Sequence, residues 1–154
     1  MTWDWLRRLS FQALLPVSIL SNRNLLRKDP EMKLSLLANL FVVCQLDAHA
    51  QLPMETPQGE FWSVTRTREE LSFVCSAEHA PAGARREGDW RCLKVEGPLD
   101  FSLVGIMAEL AGRLAAAGVS VFVISTFDTD YLLVKEARLA EALNALRSAG
   151  HSVD

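Results

Sequence analysis

The clearest pattern in the chain is a helical stripe in its C-terminal half. Leu103, Ile106, Met107, Leu110, Ala111 and Leu114 recur at three- and four-residue steps, which predicts an amphipathic helix over 101–117. Asp100 or Ser102 stands where the free amides of its first turn are capped, and Gly118 where a left-handed C-cap belongs. Residues 119–126 are apolar on both alternating faces, through Val119, Val121 and Val123 and through Phe122 and Ile124. That pattern predicts a strand covered on both sides or central in its sheet. Phe127-Asp128-Thr129-Asp130 turns the chain into a returning strand over 131–134. Leu139, Leu143 and Leu146 predict a second helix over 135–149 ended by Gly150, and 151–153 supply a closing edge strand. With a strand over 90–95 stopped by Gly97-Pro98, the order from Trp90 is β-α-β-β-α-β, a split βαβ unit of the ferredoxin-like kind.

Upstream, 33–37 and 40–46 read as two strands with a turn at Ala38-Asn39. Residues 47–59 are polar and hold Pro53, Pro57 and Gly59, which marks a loop. Strands over 61–67 and 71–75 flank the charged turn Arg68-Glu69-Glu70, and Pro81, Gly83 and Gly88 keep the chain irregular up to Trp90. Residues 65–74 mirror 125–134 as an imperfect repeat at an offset of sixty. Two halves of that size each bury too little surface alone, so they are expected to complete one core together. The expected division is an extension over 1–31, a degenerate half over 32–89 and a fuller module over 90–154. The extension reads as the product of an early start codon or as a flexible segment, because Met32-Lys33-Leu34 looks like a natural beginning.

Composition narrows the function classes. The chain has 154 residues, 49% hydrophobic and 23% charged, as ordinary globular domains do. No stretch reaches the roughly 18 unbroken apolar residues that a membrane span needs. Residues 1–31 carry five basic and three acidic side chains, and the remainder eleven against sixteen. A main body of that sign does not suit a phosphate backbone, so neither nucleic acid nor membrane is an expected partner. Cys44, Cys75 and Cys92 lie far apart in apolar runs and read as small buried hydrophobes in a reducing, cytoplasmic setting. His49, His79 and His151 have no partner spacing and read as solvated. With no phosphate loop, no nucleophile elbow and no metal-ligand spacing, no catalytic residue, metal or cofactor is expected.

Three runs carry a family likeness: Glu96-Gly97-Pro98-Leu99-Asp100-Phe101-Ser102-Leu103, then Gly105-Ile106, then Ile124-Ser125-Thr126-Phe127-Asp128-Thr129-Asp130-Tyr131. Together they resemble the ACT-domain family, and more narrowly the tandem-ACT group of the CASTOR-type cytosolic arginine sensors and their small bacterial relatives. Phe61-Trp62-Ser63-Val64-Thr65-Arg66-Thr67 with 71–75 resembles the first ACT-like half of that group. The resemblance implies an α+β fold of two ferredoxin-like ACT modules side by side, the first degenerate because 47–59 cannot supply a long helix. It further implies a regulatory site for a small ligand, typically an amino acid, with no catalysis, and pairing of copies through sheet edges or helices.

The residues make a physical case for that site. Leu103-Val104-Gly105-Ile106 lies where chain enters helix, and the first helical amides there have no internal partners and favour a carboxylate. Asp100, Phe101 and Ser102 lead into that junction. Asp128 and Asp130 bring negative charge at the hairpin tip, and Ser125, Thr126 and Thr129 add neutral hydrogen-bonding groups. One positive and one negative end complement a zwitterion. Plainer readings stand beside this one: Asp128 and Asp130 are favoured turn residues, Asp100 is a helix cap, and Gly105 serves packing. Arg66 and Arg68 fit a solvated hairpin tip, and Trp62 and Trp90 fit core or interface packing. The competing function is a ligand-free interaction or dimerisation module.

Overall fold

The computed structural model describes residues 31–51, 59–100, 102 and 104–154. The expectations for the leading segment (Glu31 apart), for 52–58 of the polar loop, and for Phe101 and Leu103 therefore lie outside the described residues. The strands are β1 (Lys33–Asp47), β2 (Ser63–Arg66), β3 (Glu70–Ser76), β4 (Arg85–Val95), β5 (Val121–Ser125), β6 (Asp130–Lys135) and β7 (Ser152–Val153). Two helices, α1 (Ile106–Ala116) and α2 (Leu139–Ser148), and one-turn 3-10 helices at Ala77–His79 and Glu136–Arg138 complete the α+β architecture. The sheet order is β2-β3-β1-β4-β6-β5, antiparallel throughout, with β7 added parallel to the start of β1.

Several expectations are corrected. The predicted turn at Ala38-Asn39 does not form: β1 is one strand of 15 residues. Its C-terminal part pairs with β3 and its N-terminal part with β7, while β4 runs along both. The two residues too many are absorbed by a register shift between Leu36 and Leu40, a bulge in an otherwise continuous ladder. β4 begins at Arg85 rather than Trp90, because Asp89 takes a positive φ of 59° beside a second register shift and lets pairing continue across the polar stretch. β5 is neither central nor covered. Among the described residues it pairs only with β6, and Phe122 and Val123 are 37% and 39% exposed. The closing strand β7 does lie at an edge, beside the start of β1.

The core explains the order. Leu93, Val95, Leu132 and Val134 of the sheet pack with Ile106, Leu110 and Leu114 of α1 and Ala142 and Leu146 of α2. Trp90, Cys92 and Leu133 point the other way, into a cluster with Leu37, Phe41, Phe61 and Val74. Consecutive residues of β6 thus feed opposite clusters, as those of β4 do, so β6, unlike β5, is buried on both faces. Phe61 stacks on Tyr131 with ring centroids 4.2 Å apart, joining the chain that enters β2 to β6 across the curled sheet.

His151 is buried, at 5% exposure, against the expectation of a solvated ring. Pairing of β7 with β1 carries it inside, where the Met32 amide donates to Nδ1 at 3.3 Å. His79 is half-buried with Nδ1 2.7 Å from the Ser76 hydroxyl, and His49 is exposed. Trp90 is packed, while Trp62 remains 43% exposed. All three cysteines are free and buried, and burial pushes the Cys75 and Cys92 thiols up to about 12 and raises Cys44. Since the thiolate is the reactive form, a colorimetric thiol reagent at neutral pH should label none of them until denaturant is added. Rapid labelling of the native protein would contradict this packing.

Candidate functional site

Where β4 ends, the β5–β6 hairpin folds against the outgoing chain. The Thr129 hydroxyl donates to the Val95 carbonyl, and the Leu99 amide donates to the Asp128 carbonyl at 2.8 Å. The hairpin closes on itself through the Thr126 amide and hydroxyl, which donate to the Thr129 carbonyl at 2.8 and 2.9 Å. This approach requires Gly97, since a Cβ there would lie 2.6 Å from the Asp128 carbonyl oxygen.

The chain then reaches α1 later than its apolar stripe predicts. Gly105, at φ +88°, makes the left-handed turn that starts the helix, and its carbonyl accepts from the Glu109 amide at 2.8 Å. The amides of Ile106, Met107 and Ala108 thus precede the first intrahelical bond, and no side chain among the described residues caps them. Capping by Asp100 or Ser102 is thereby corrected. With helix start at 106, both sit too far upstream, and Asp100 instead accepts the Ser102 amide at 2.7 Å. The Ser102 hydroxyl, and then its amide, hold the Asp100 carboxyl below the ordinary carboxylate range.

These two features face one cavity of about 360 Å³. Of the anticipated residues, Asp100, Gly105, Ile106, Ser125, Thr126, Asp128, Thr129 and Asp130 line it. Ser102 does not, and Val104 is 84% exposed away from it; Phe101 and Leu103 lie outside the described residues. Leu99, Met107, Ala108 and Phe127 also line the wall without having been anticipated. Their apolar side chains carry no chemical mark, and only Met107, on the helical stripe, had any positional signal.

The hydroxyls are largely engaged. Ser125 donates to the Asp130 carboxylate and Thr129 to Val95, so Thr129 tethers the hairpin. The Asp128 carboxylate has no bonded partner among the described residues, because its structural contact is made by its backbone carbonyl. One wall thus offers helix-start amides that have no partner among the described residues, at a positive helix end, and the other offers carboxylates. No group of His, Cys, Asp and Glu among the described residues is placed to hold a metal ion.

The family model described as ACT domain matches residues 85–148, and a second model, of an N-terminal domain, matches 39–83. A protein of Agobacterium tumefaciens known from a crystal structure is 37% identical, over 81% of this chain and 93% of that one, with a TM-score of 0.75. This chain belongs to the ACT-domain family. Among curated relatives, the cytosolic arginine sensor for mTORC1 subunit 1 of Homo sapiens is 42% identical over 59 residues, 38% of this chain. The match takes in 18% of the length of that relative. Part of the aspartate kinase of Clostridium acetobutylicum, described as an allosteric enzyme, shares the fold, with a TM-score of 0.55 over 73% of this chain and 33% of that one at 10% identity.

Proposed function

We propose that the chain is a regulatory module that binds a free amino acid and performs no catalysis of its own. Residues 32–89 act as a degenerate ACT-like half and 90–154 as the ACT domain that carries the site. The observation that carries this reading is the cavity with opposite charge preferences on its two walls. The α-carboxylate binds at the amides of Ile106, Met107 and Ala108, and Asp128 with Asp130 takes the α-ammonium or a cationic side chain. The Ser125 and Thr129 hydroxyls already donate to Asp130 and Val95, which suits a binding role for this wall. Binding favours one arrangement of paired modules over another, and a partner reads the difference. A cytosolic setting is supported by the printed name of the human relative, and no helix among the described residues is long and apolar enough to cross a membrane.

A thermal-shift screen against the amino acids tests the reading, with arginine first because the relatives are named arginine sensors. A ligand at 100 times its Kd adds about 2.7 kcal/mol if it binds only the folded state. Asp128→Asn should then weaken the hit roughly tenfold or more, a charged hydrogen bond being worth about 1.5–3 kcal/mol. Its unliganded melting midpoint should stay put, because the exposed carboxylate makes no structural bond among the described residues. Silence across the whole set favours the second reading, a dimerisation module, for which the uncovered edge of β5 with Phe122 and Val123 is the supporting observation.

A further inference from the structure

The internal repeat runs at a different register from the one its residues suggest. Arg66 pairs with Leu71 and Ser125 with Asp130 as the last rungs before the two hairpin tips. Thr67 closes its tip by donating to the Glu70 carbonyl at 2.9 Å, as Thr126 does to Thr129. Each returning strand runs straight into a one-turn 3-10 helix, Ala77–His79 or Glu136–Arg138. The hairpins therefore correspond at an offset of 59, which puts Arg66 in the place of Ser125. Gln45 faces Ser72 as Lys94 faces Tyr131, so the strands leading in correspond at 49, and Ala48 and Ala50 stand where Gly97 and Leu99 stand.

At this corresponding place the first half is not open. The Arg66 guanidinium donates from Nη1 to the Ala48 carbonyl and from Nη2 to the Ala50 carbonyl at 2.7 Å. Arg66 stays exposed, as a hairpin tip does, but its guanidinium is bonded to the chain rather than free in solvent. Two carbonyls two residues apart take the two prongs of a planar fork, an arrangement that a point-charge ammonium does not reproduce. The second half ties its own exit strand to its hairpin by other means, the Leu99 amide and the Thr129 hydroxyl, which leaves the position of Ser125 facing the cavity.

We propose that the first half holds a guanidinium-binding seat, built from the Ala48 and Ala50 carbonyls and permanently filled by the chain's own Arg66. Its ligand class is a planar guanidinium cation, and its resident occupant makes the first half a fixed partner that takes up no free ligand. The proposal holds whether or not the second-half cavity takes an amino acid, because it can be read without any ligand there. Arg66→Ala should lower the melting midpoint by several degrees. Ethylguanidinium at low millimolar concentration should recover at least half of that loss in the variant while leaving the wild type unmoved, and ethylammonium should recover none. Should Arg66→Ala fail to stay folded, Arg66→Gln, which keeps part of the stem, carries the same measurement. An unchanged midpoint, no recovery with ethylguanidinium in the folded variant, equal recovery with ethylammonium, or an equal shift in the wild type would each overturn the proposal.

Discussion

Replacing Gly97 by alanine is expected to lower folding stability by about 1–3 kcal/mol, the usual cost of forcing atoms into a packed site. It should also weaken ligand binding at least tenfold, although residue 97 lies outside the cavity lining. The new methyl would sit 2.6 Å from the Asp128 carbonyl oxygen, 3.3 Å from the Leu99 nitrogen and 3.4 Å from the Thr129 Cβ. Two of those three are backbone atoms, which cannot swing aside as the end of a long side chain can. The hairpin must lift, stretching the Leu99–Asp128 and Thr129–Val95 bonds and carrying the carboxylates of Asp128 and Asp130 away from the amides that begin α1. Urea unfolding should show a lower midpoint at unchanged slope, and titration of the ligand found by the screen should show the lost affinity. Wild-type values for both would mean that the hairpin does not dock on residue 97 as described.

Why the hairpin was legible in the sequence while its neighbours were not comes down to range. The stripe through Ile106, Leu110 and Leu114 is a local property, and so are the turn residues of 127–130; both are found where expected. A strand's place in its sheet depends on partners far along the chain. Val121–Ser125 reads as central from its composition, yet β6 takes the inner place beside β4 and leaves β5 outside. Its apolar side chains instead line a shared gap with Ser63, Val64 and Thr65, brought near by the curl of the sheet. Ala38-Asn39 has turn character, but pairing on either side of it overrides that preference. The repeat was visible but one residue out of register, which in a strand exchanges the faces of every side chain and hid the match between Arg66 and Ser125.

The site divides along the same line. Gly105 and the aspartates announce themselves because their backbone preferences or charges are local signals. Asp100 misled as a cap because the left-handed turn at Gly105 postpones α1 until 106. The Thr129 hydroxyl could be assigned to the Val95 carbonyl only once β4 and the hairpin were brought together. Leu99, Met107, Ala108 and Phe127 join the cavity wall by geometry alone.

Leu110→Ala should be the most damaging single change in α1, at about 2–5 kcal/mol. Leu110 is fully buried and occupies the middle of the Ile106, Leu110, Leu114 row, facing the sheet through the cluster that includes Leu93, Val95, Leu132 and Val134. Removing its branched end leaves a cavity between helix and sheet, which closes only partly because α2 and the sheet hold the surrounding side chains apart. For a chain of this size the loss corresponds to a fall of roughly 5–15 °C in melting midpoint. Binding should respond differently. Leu110 does not line the cavity, so a saturating ligand should stabilise the variant by about as much as the wild type while the helix start stays in place. Met107→Ala is the converse: Met107 is half-buried and lines the cavity, so its loss should cost less stability and more affinity. A Leu110→Ala variant within 1 kcal/mol of wild type, an ordinary surface-substitution value of roughly that size or below, would remove α1 from the core and with it the rigid placement of the amides on which the site depends.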